Sequence, residues 1–171
     1  MEPIEVDVPL DIKMGDRLEN IVELHNLQQL GDTGWYILAP ENGLPTMFEF
    51  ISFDSSPYTG IARIRLVTGD RKDEGEQAYL RDWEDLKAWL SRKYGEGDVM
   101  TSEEEPSIVS IRWSVRHRTV NSDRHQGGHV AFIQMIGDTP NDDYYSMGLT
   151  YAFINGPSCD EANQRDKFRG L

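Results

Sequence analysis

The sequence predicts an α+β protein built on a mostly antiparallel sheet of about six strands, and three observations support this prediction. Residues 76–94 carry an apolar stripe at helical spacing. Six other segments are short, rich in β-branched and aromatic residues, and bounded by turn-forming residues. Most of the links are too short for a parallel crossover, so neighbouring strands should be antiparallel. We expect the long helix to cross one face of the sheet and the other face to be partly open or covered by a short N-terminal helix.

Residues 1–15 read as an extended arm that leads into this short helix. Asp16 stands three residues before Glu19, the spacing at which each side chain can cap the other residue's backbone N–H. Ile21 lies on the apolar side of the predicted helix, which should end before Gly31.

The remaining elements follow from hydrophobic periodicity. The predicted strands are 34–39, 46–53, 60–67, 107–119, 129–136 and 144–154. The apolar stripe of the long helix contains Tyr79, Trp83, Leu86, Leu90 and Tyr94, widened by Leu80 and Trp89. Gly95 is placed to end that helix in the left-handed conformation. Residues 155–171 read as an irregular tail, and a chain of 171 residues is predicted to form a single domain, 1–171.

Composition narrows the range of functions. Thirty acidic against seventeen basic residues give a net charge of −13, which repels phosphate backbones and anionic lipids, so neither direct nucleic-acid binding nor a membrane role is expected. The acidic, proline-broken N-terminus is unlike a secretory signal, no segment has the ~20 apolar residues of a membrane span, and the one cysteine, Cys159, cannot form an intrachain disulfide. These features predict a cytoplasmic protein, although a cleaved leader would not be seen. They do not indicate an oligomeric state.

Histidines form the first candidate site. His117, His125 and His129 surround one predicted hairpin, with Asp123 in its loop. Three imidazoles and a carboxylate could hold zinc and support a metal-dependent enzyme. The spacing matches no established metal motif, however, and histidines near a polar loop are usually solvated. We therefore predict no metal and no cofactor.

Arginines form the second candidate site. Alternate residues of a strand share a face, so Arg63 and Arg65 lie opposite the apolar side of segment 60–67. The same alternation in segment 107–119 groups Arg112, Arg116 and Arg118. If both strands belong to one sheet, five arginines share a surface suited to carboxylates or phosphates. The alternative is that acids of the N-terminal segment neutralise this surface, since residues 1–60 hold eleven acids and two bases.

Clustered acids form the third candidate site. They are Glu103, Glu104, Glu105, Asp142 and Asp143, all on predicted loops. Carboxylates that are adjacent on a loop diverge, so an acid and base pair for hydrolysis is not indicated. The sequence also contains no phosphate-binding loop, no nucleophile elbow and no local Cys–His signature. Solvated surface, or a docking surface for a basic partner, is the better interpretation, and we predict that the protein is not an enzyme.

Two function classes follow. The leading hypothesis is an acidic binding or inhibitor protein that neutralises a basic protein partner, as bacterial immunity proteins and antitoxins do, because a strong negative field captures cationic surfaces quickly. The alternative is a small-anion or small-ligand binding domain that uses the arginine-bearing sheet face and the aromatic residues of segment 46–53. A metal-dependent enzyme is a remote third.

Overall fold

The computed structural model describes residues 6–57, 59–101, 103–104, 108–115, 130–138, 145–153 and 170. Within these residues the chain is α+β, as predicted, with two α-helices and an antiparallel sheet of eight strands rather than about six. Each of the six predicted strand segments overlaps a strand. The sequence analysis missed two short strands, and these form the two edges of the sheet.

The elements have the following bounds in chain order. The helices are α1, Leu18–Leu24, and α2, Glu76–Tyr94. The strands are β1, Gln28–Gln29; β2, Trp35–Ile37; β3, Phe50–Ser56; β4, Gly60–Val67; β5, Asp98–Thr101; β6, Ile108–Ser114; β7, Val130–Asp138; and β8, Met147–Phe153. Single turns of 3₁₀-helix lie at Pro9–Asp11, Pro40–Asn42 and Lys72–Glu74.

The sheet is made of two meanders that meet at its centre. The strand order is β1-β2-β3-β4-β8-β7-β6-β5, and β4 pairs with β8 where the meanders join. Helix α2 connects β4 at the centre to β5 at the far edge. At ~1.5 Å per residue its 19 residues span about 28 Å. That length is enough to cross the strands between β4 and β5, which lie about 4.8 Å apart.

The pairing register divides the side chains between two faces, because directly paired residues point to the same side of a sheet. The core face is apolar. Its central row is Ile51, Leu66, Leu149, Met135 and Ile111, each at most 4% exposed. The opposite face, here called the open face, carries polar side chains in the next row. That row is Ser52, Arg65, Thr150, Gln134 and Arg112.

Both helices lie on the core face. Leu86 and Leu90 of α2 line one groove together with Leu66 and Leu149 of the sheet. Helix α1 borders Tyr36, which is paired with Ile51 of the core row. No helix in the described part of the chain covers the open face. The short helix α1 lies on the same face as α2 and does not cover the open face.

Close approach of α2 to the sheet depends on a glycine. A Cβ atom on Gly137 of β7 would stand 2.5 Å from Cζ3 of Trp83 and 2.8 Å from the Tyr79 hydroxyl. Tyr79 itself is 1% exposed, and its hydroxyl lies 2.8 Å from the carbonyl oxygens of both Asp138 and Ser146, to which it donates. The first turns of α2 are thus held against the ends of β7 and β8.

Two predicted side-chain positions on α2 are wrong. Trp89 is 55% exposed and Leu80 is 41% exposed, so neither widens the buried stripe. At 100° per residue both lie roughly 90° from the centre of the stripe, on opposite sides, and the sheet covers a narrower sector of the helix. Trp89 instead lies against the cationic groups of Arg92 and Lys93, 5.5 and 5.9 Å from its ring centroid.

The helix ends also differ in detail from prediction. Asp16 does not cap α1; its carboxylate accepts a hydrogen bond from the backbone N–H of Lys13 at 2.8 Å, and its carbonyl accepts one from Ile61 of β4. Helix α1 starts from Arg17 with no side-chain cap, and the Asp16 carboxylate is occupied by the Lys13 N–H. Gly95 ends α2 with φ 87° and ψ −167°, so the positive φ that favours glycine is present but the left-handed helical conformation is not.

Candidate functional site

The open face brings the described arginines of the sequence hypothesis together. Arg63 and Arg65 of β4 and Arg112 of β6 all project from this face, as strand alternation predicts. The other two arginines of the hypothesis, Arg116 and Arg118, lie outside the described residues. Strands β8 and β7 lie between β4 and β6 in the sheet. The side chains of these two strands therefore decide whether the arginines meet.

Arg65 is neutralised within the sheet. Its guanidinium donates two hydrogen bonds to the Asp54 carboxylate of β3, at 2.9 and 2.8 Å, in the bidentate geometry typical of strong arginine pairs. Asp54 is one of the eleven acids of residues 1–60, so for Arg65 the structure agrees with the alternative that acids of this segment neutralise the arginine surface. Arg65 is removed from the set that could hold a ligand.

Arg63 and Arg112 converge instead on one aromatic ring. The guanidinium carbon of Arg112 lies 4.1 Å from the ring centroid of Phe132 on β7, and that of Arg63 lies 5.8 Å from it. Arg112 also donates from Nε and NH2 to Oε1 of Gln134, at 3.2 and 2.9 Å. Neither arginine forms an ion pair with an acid in the residues that the structure describes. We call Arg63, Arg112, Phe132 and Gln134 the arginine cluster.

The aromatic residues of segment 46–53 do not join the arginine cluster. Phe48 is 4% exposed in the core, and Phe53 packs against the same core from the core face. Phe50 is on the open face, but it pairs with Val67 and is two rows away from Arg63 along the strands. Phe50 is thus the aromatic residue of this segment that shares the open face with the arginines, and it lies outside the arginine cluster.

The sheet ends at β5, and this edge is the second candidate surface. Among the described residues, β5 pairs with β6 and with no other strand. Val99 is 62% exposed and Met100 is 42% exposed, and because they are adjacent in the strand their side chains point to opposite faces. Such an edge presents unpaired backbone N–H and C=O groups, which can template an added strand.

Acidic residues flank this edge. Residues 96–104 contain four acids and no base. Asp98 is the first residue of β5, while Glu103 and Glu104 follow the strand and are exposed. Two of the five acids in the sequence hypothesis therefore lie beside the edge. The other three, Glu105, Asp142 and Asp143, lie outside the described residues.

A buried charge network at the start of α2 is a third place of interest. The side chain of Arg71 is 9% exposed and contacts Asp82 at 2.6 Å and Glu74. Burial alone lowers the pKa of Arg71, but the hydrogen bonds to the two carboxylates outweigh it and the pKa is raised. Burial likewise raises the pKa of Tyr79 well above its usual value, and the charge of Asp138 adds to this effect. Both groups keep their ordinary protonation at neutral pH and fasten α2 to the sheet.

The metal hypothesis finds no test in the described residues. His117, His125 and His129 lie outside them, as does Cys159. Among the residues that the structure describes, no group of three or more His, Cys, Asp or Glu side chains is arranged to hold a metal ion. Neither described helix has the length and apolar character that a transmembrane helix needs.

Comparison with known proteins identifies no relative. The chain matches no protein-family model, no curated protein and no solved structure. Function must therefore be inferred from the chemistry of the two surfaces described above.

Sequence reasoning missed the central residues of both surfaces. Phe132 and Gln134 were counted as ordinary positions of a strand, although their alternation with Ile133 and Met135 places them on the polar face. Strand β5 was missed because its four residues, Asp98 to Thr101, include only two apolar side chains. Its pairing with β6, in the register Asp98 to Arg112, is a tertiary contact that no local pattern predicts.

Proposed function

We propose that this protein is a non-catalytic binding protein that captures and neutralises a basic protein partner, as immunity proteins and antitoxins do. The observation that supports the proposal best is the edge at β5, which has no second neighbour among the described strands and whose exposed apolar side chains are flanked by acids. In this proposal an extended basic segment of the partner adds to the sheet as a ninth strand beside β5. A cytoplasmic location belongs to the same proposal.

Backbone chemistry supports strand addition at this edge. An added strand gains affinity from main-chain hydrogen bonds and specificity from alternate side chains. Val99 points to the core-face side and Met100 to the open-face side, so an incoming strand finds an apolar contact on either side of the sheet. Burying these side chains would contribute roughly 25 cal/mol per Å² of apolar surface.

The charge of the edge selects the partner. Residues 96–104 contain four acids and no base, within a chain that has a net charge of −13. Acids on an exposed edge also discourage pairing with a second acidic chain. A basic segment is the strand that this edge would accept, since opposite charges attract it and like charges exclude a second copy.

The test is binding of an extended basic peptide. A hexapeptide of alternating lysine and valine serves as the probe, and a peptide of the same charge with a central proline is its control. Because proline cannot complete a strand ladder, the first peptide should bind and the second should bind at least ~10-fold more weakly, the equivalent of one or two lost hydrogen bonds. Isothermal titration calorimetry measures both.

Variants of the protein locate the site. The variants are Val99→Pro and Met100→Pro. The one that replaces the residue whose backbone N–H points away from β6 should abolish the preference for the lysine–valine peptide. Gln29→Pro, on the opposite edge strand β1, is the matched control and should leave binding unchanged. Equal binding of the two peptides to the unaltered protein would show that the interaction is charge attraction without strand addition and would overturn the proposal.

A further inference from the structure

We propose that the arginine cluster is an anion site that binds a small dianion through phosphate or paired carboxylate groups. This site uses the positive groups of the open face and stands independently of the partner proposed for β5. Its basis is the geometry of four side chains on three strands: Arg63 on β4, Phe132 and Gln134 on β7, and Arg112 on β6.

Neither arginine pairs with the acid that stands opposite it in the strand register. Asp54 is the register partner of Arg63 across β3 and β4, yet its carboxylate is held by Arg65. Asp98 is the register partner of Arg112 across β5 and β6, yet the Arg112 guanidinium turns to Gln134.

In a chain with thirty acids and seventeen bases, counter-ions are abundant. Two arginines held by a ring and an amide, with no acid bound to either in the described residues, are poised to accept an external anion.

Arg112 is held in place before any ligand arrives. Its guanidinium stacks on Phe132, which attracts the cation through the face of the ring. Arg112 donates from Nε and Nη2, along one edge of its guanidinium, to Oε1 of Gln134. A guanidinium has five N–H bonds, so three remain for a ligand. Because the side chain is already fixed, binding costs less conformational entropy than it would for a free arginine.

Arg63 reaches the same ring because the residue between them is small. Ala152 of β8 is the register partner of both Arg63 and Phe132. Ala152 lies on the open face and is 3% exposed. The two guanidinium carbons, at 5.8 and 4.1 Å from one centroid, cannot be more than about 10 Å apart. In this proposal one ligand contacts both guanidinium groups.

Two positive charges and their unused donors define the ligand class. A monocarboxylate satisfies a single arginine fork, whereas a phosphate or a dicarboxylate offers enough oxygens and charge for both. The surrounding open face adds hydroxyl groups at Ser114, the register partner of Phe132, and at Thr150, the register partner of Gln134. Phosphate and dicarboxylate both offer two negative charges and several acceptor oxygens, and binding measurements distinguish which of them the site prefers.

The experiment titrates inorganic phosphate, succinate and acetate into the full-length protein at matched ionic strength, with amide chemical shifts of Gln134 and Thr150 as the readout. We expect phosphate, succinate or both to bind in preference to acetate. Arg63→Gln and Arg112→Gln should each weaken that binding about 10-fold or more, as loss of a charge-assisted hydrogen bond does. Arg81→Gln removes the same charge from the exposed side of α2 and should change binding by less than about twofold.

A second pair of variants tests the role of Arg65 in keeping Asp54 away. Arg65→Gln should free Asp54 to pair with Arg63 and so weaken anion binding. The double variant Asp54→Asn/Arg65→Gln has the charge of the unaltered protein and should restore it. Denaturant midpoints confirm that each variant is folded. Acetate binding as well as the dianions, or unchanged dianion binding in Arg63→Gln/Arg112→Gln, would overturn the proposal.

Discussion

At the scale of single residues, a few side chains make tertiary contacts that their sequence context does not predict. Tyr79 is one of five stripe positions on α2, and its hydroxyl donates to two carbonyl oxygens at the ends of β7 and β8. Its ring also meets Tyr145 edge to face, with centroids 5.0 Å apart. A pattern of apolar positions predicts burial of the ring, whereas the partners of the hydroxyl depend on where the strands end.

The Tyr79 hydroxyl should make stability pH-dependent in alkali. Burial raises the folded-state pKa of Tyr79, while an unfolded tyrosine titrates near pH 10. The unfolded state therefore releases its proton first, and the stabilisation present below about pH 10 is lost as the pH rises, by up to ~1.4 kcal/mol per pH unit for this residue. Tyr79→Phe should lose about 1–3 kcal/mol at neutral pH.

Above pH 10, the free energy of unfolding of Tyr79→Phe should fall less steeply with pH than that of the unaltered protein. The difference in slope should correspond to about one proton. A decline remains because burial also raises the pKa values of Tyr94 and Tyr151. Urea unfolding at a series of alkaline pH values measures both slopes. Identical slopes in the two proteins would show that Tyr79 titrates alike in the folded and unfolded states.

At the scale of elements, α2 is predicted by its sequence and positioned by contacts outside it. Its bounds, Glu76–Tyr94, match the predicted 76–94, since a strong stripe and flanking glycines make a helix locally evident. Its docking depends on Gly137, on the hydroxyl of Tyr79 and on Arg71. None of these dependences appears in the helical pattern, because each partner comes from another part of the chain.

Arg71 should be a main anchor of this helix. Arg71→Met removes a buried cation from between Asp82 and Glu74, and we expect it to lower the free energy of unfolding by about 2–3 kcal/mol. This is below the range for a fully buried pair, because both carboxylates keep contact with water. Arg81→Met, an exposed position of the same helix, should cost less than about 0.5 kcal/mol. Chemical denaturation compares the two, and equal losses would refute the anchor role of Arg71.

At the scale of the whole molecule, charge and topology act together. The net charge of −13 gives a long-ranged negative field, but screening limits its reach to about 8 Å at physiological salt. Acids close to a contact therefore matter most for steering. The sheet order places the four acids of residues 96–104 at one edge and the arginine cluster on the open face beside it. The molecule thus presents two oppositely charged surfaces.

Steering by the edge acids should appear in association kinetics. With the lysine–valine peptide as partner, Glu103→Gln/Glu104→Gln should slow association and flatten its dependence on salt, while dissociation changes little. Glu19→Gln/Glu23→Gln makes the same change in charge on α1 and should have a smaller effect. Stopped-flow measurements from about 50 to 500 mM salt cover a threefold change in screening length. Association that is indifferent to salt would rule out electrostatic capture.

The sequence by itself determined the class of the fold and its local elements. Period-two alternation and short links required antiparallel strands, helical periodicity located α2, and alternation assigned Arg63, Arg65 and Arg112 to the polar side of their strands. These features are visible because they depend on neighbours within a few residues.

Only the tertiary structure decided which strands lie together and which charged side chains are paired with each other. It placed Asp54 on Arg65 and so left Arg63 without that acid. It set Ala152 between Arg63 and Phe132, and it made the four-residue strand β5 an edge. Pairing between strands distant in sequence is fixed by register and by the packing of a shared core. The composition of one strand does not contain that information.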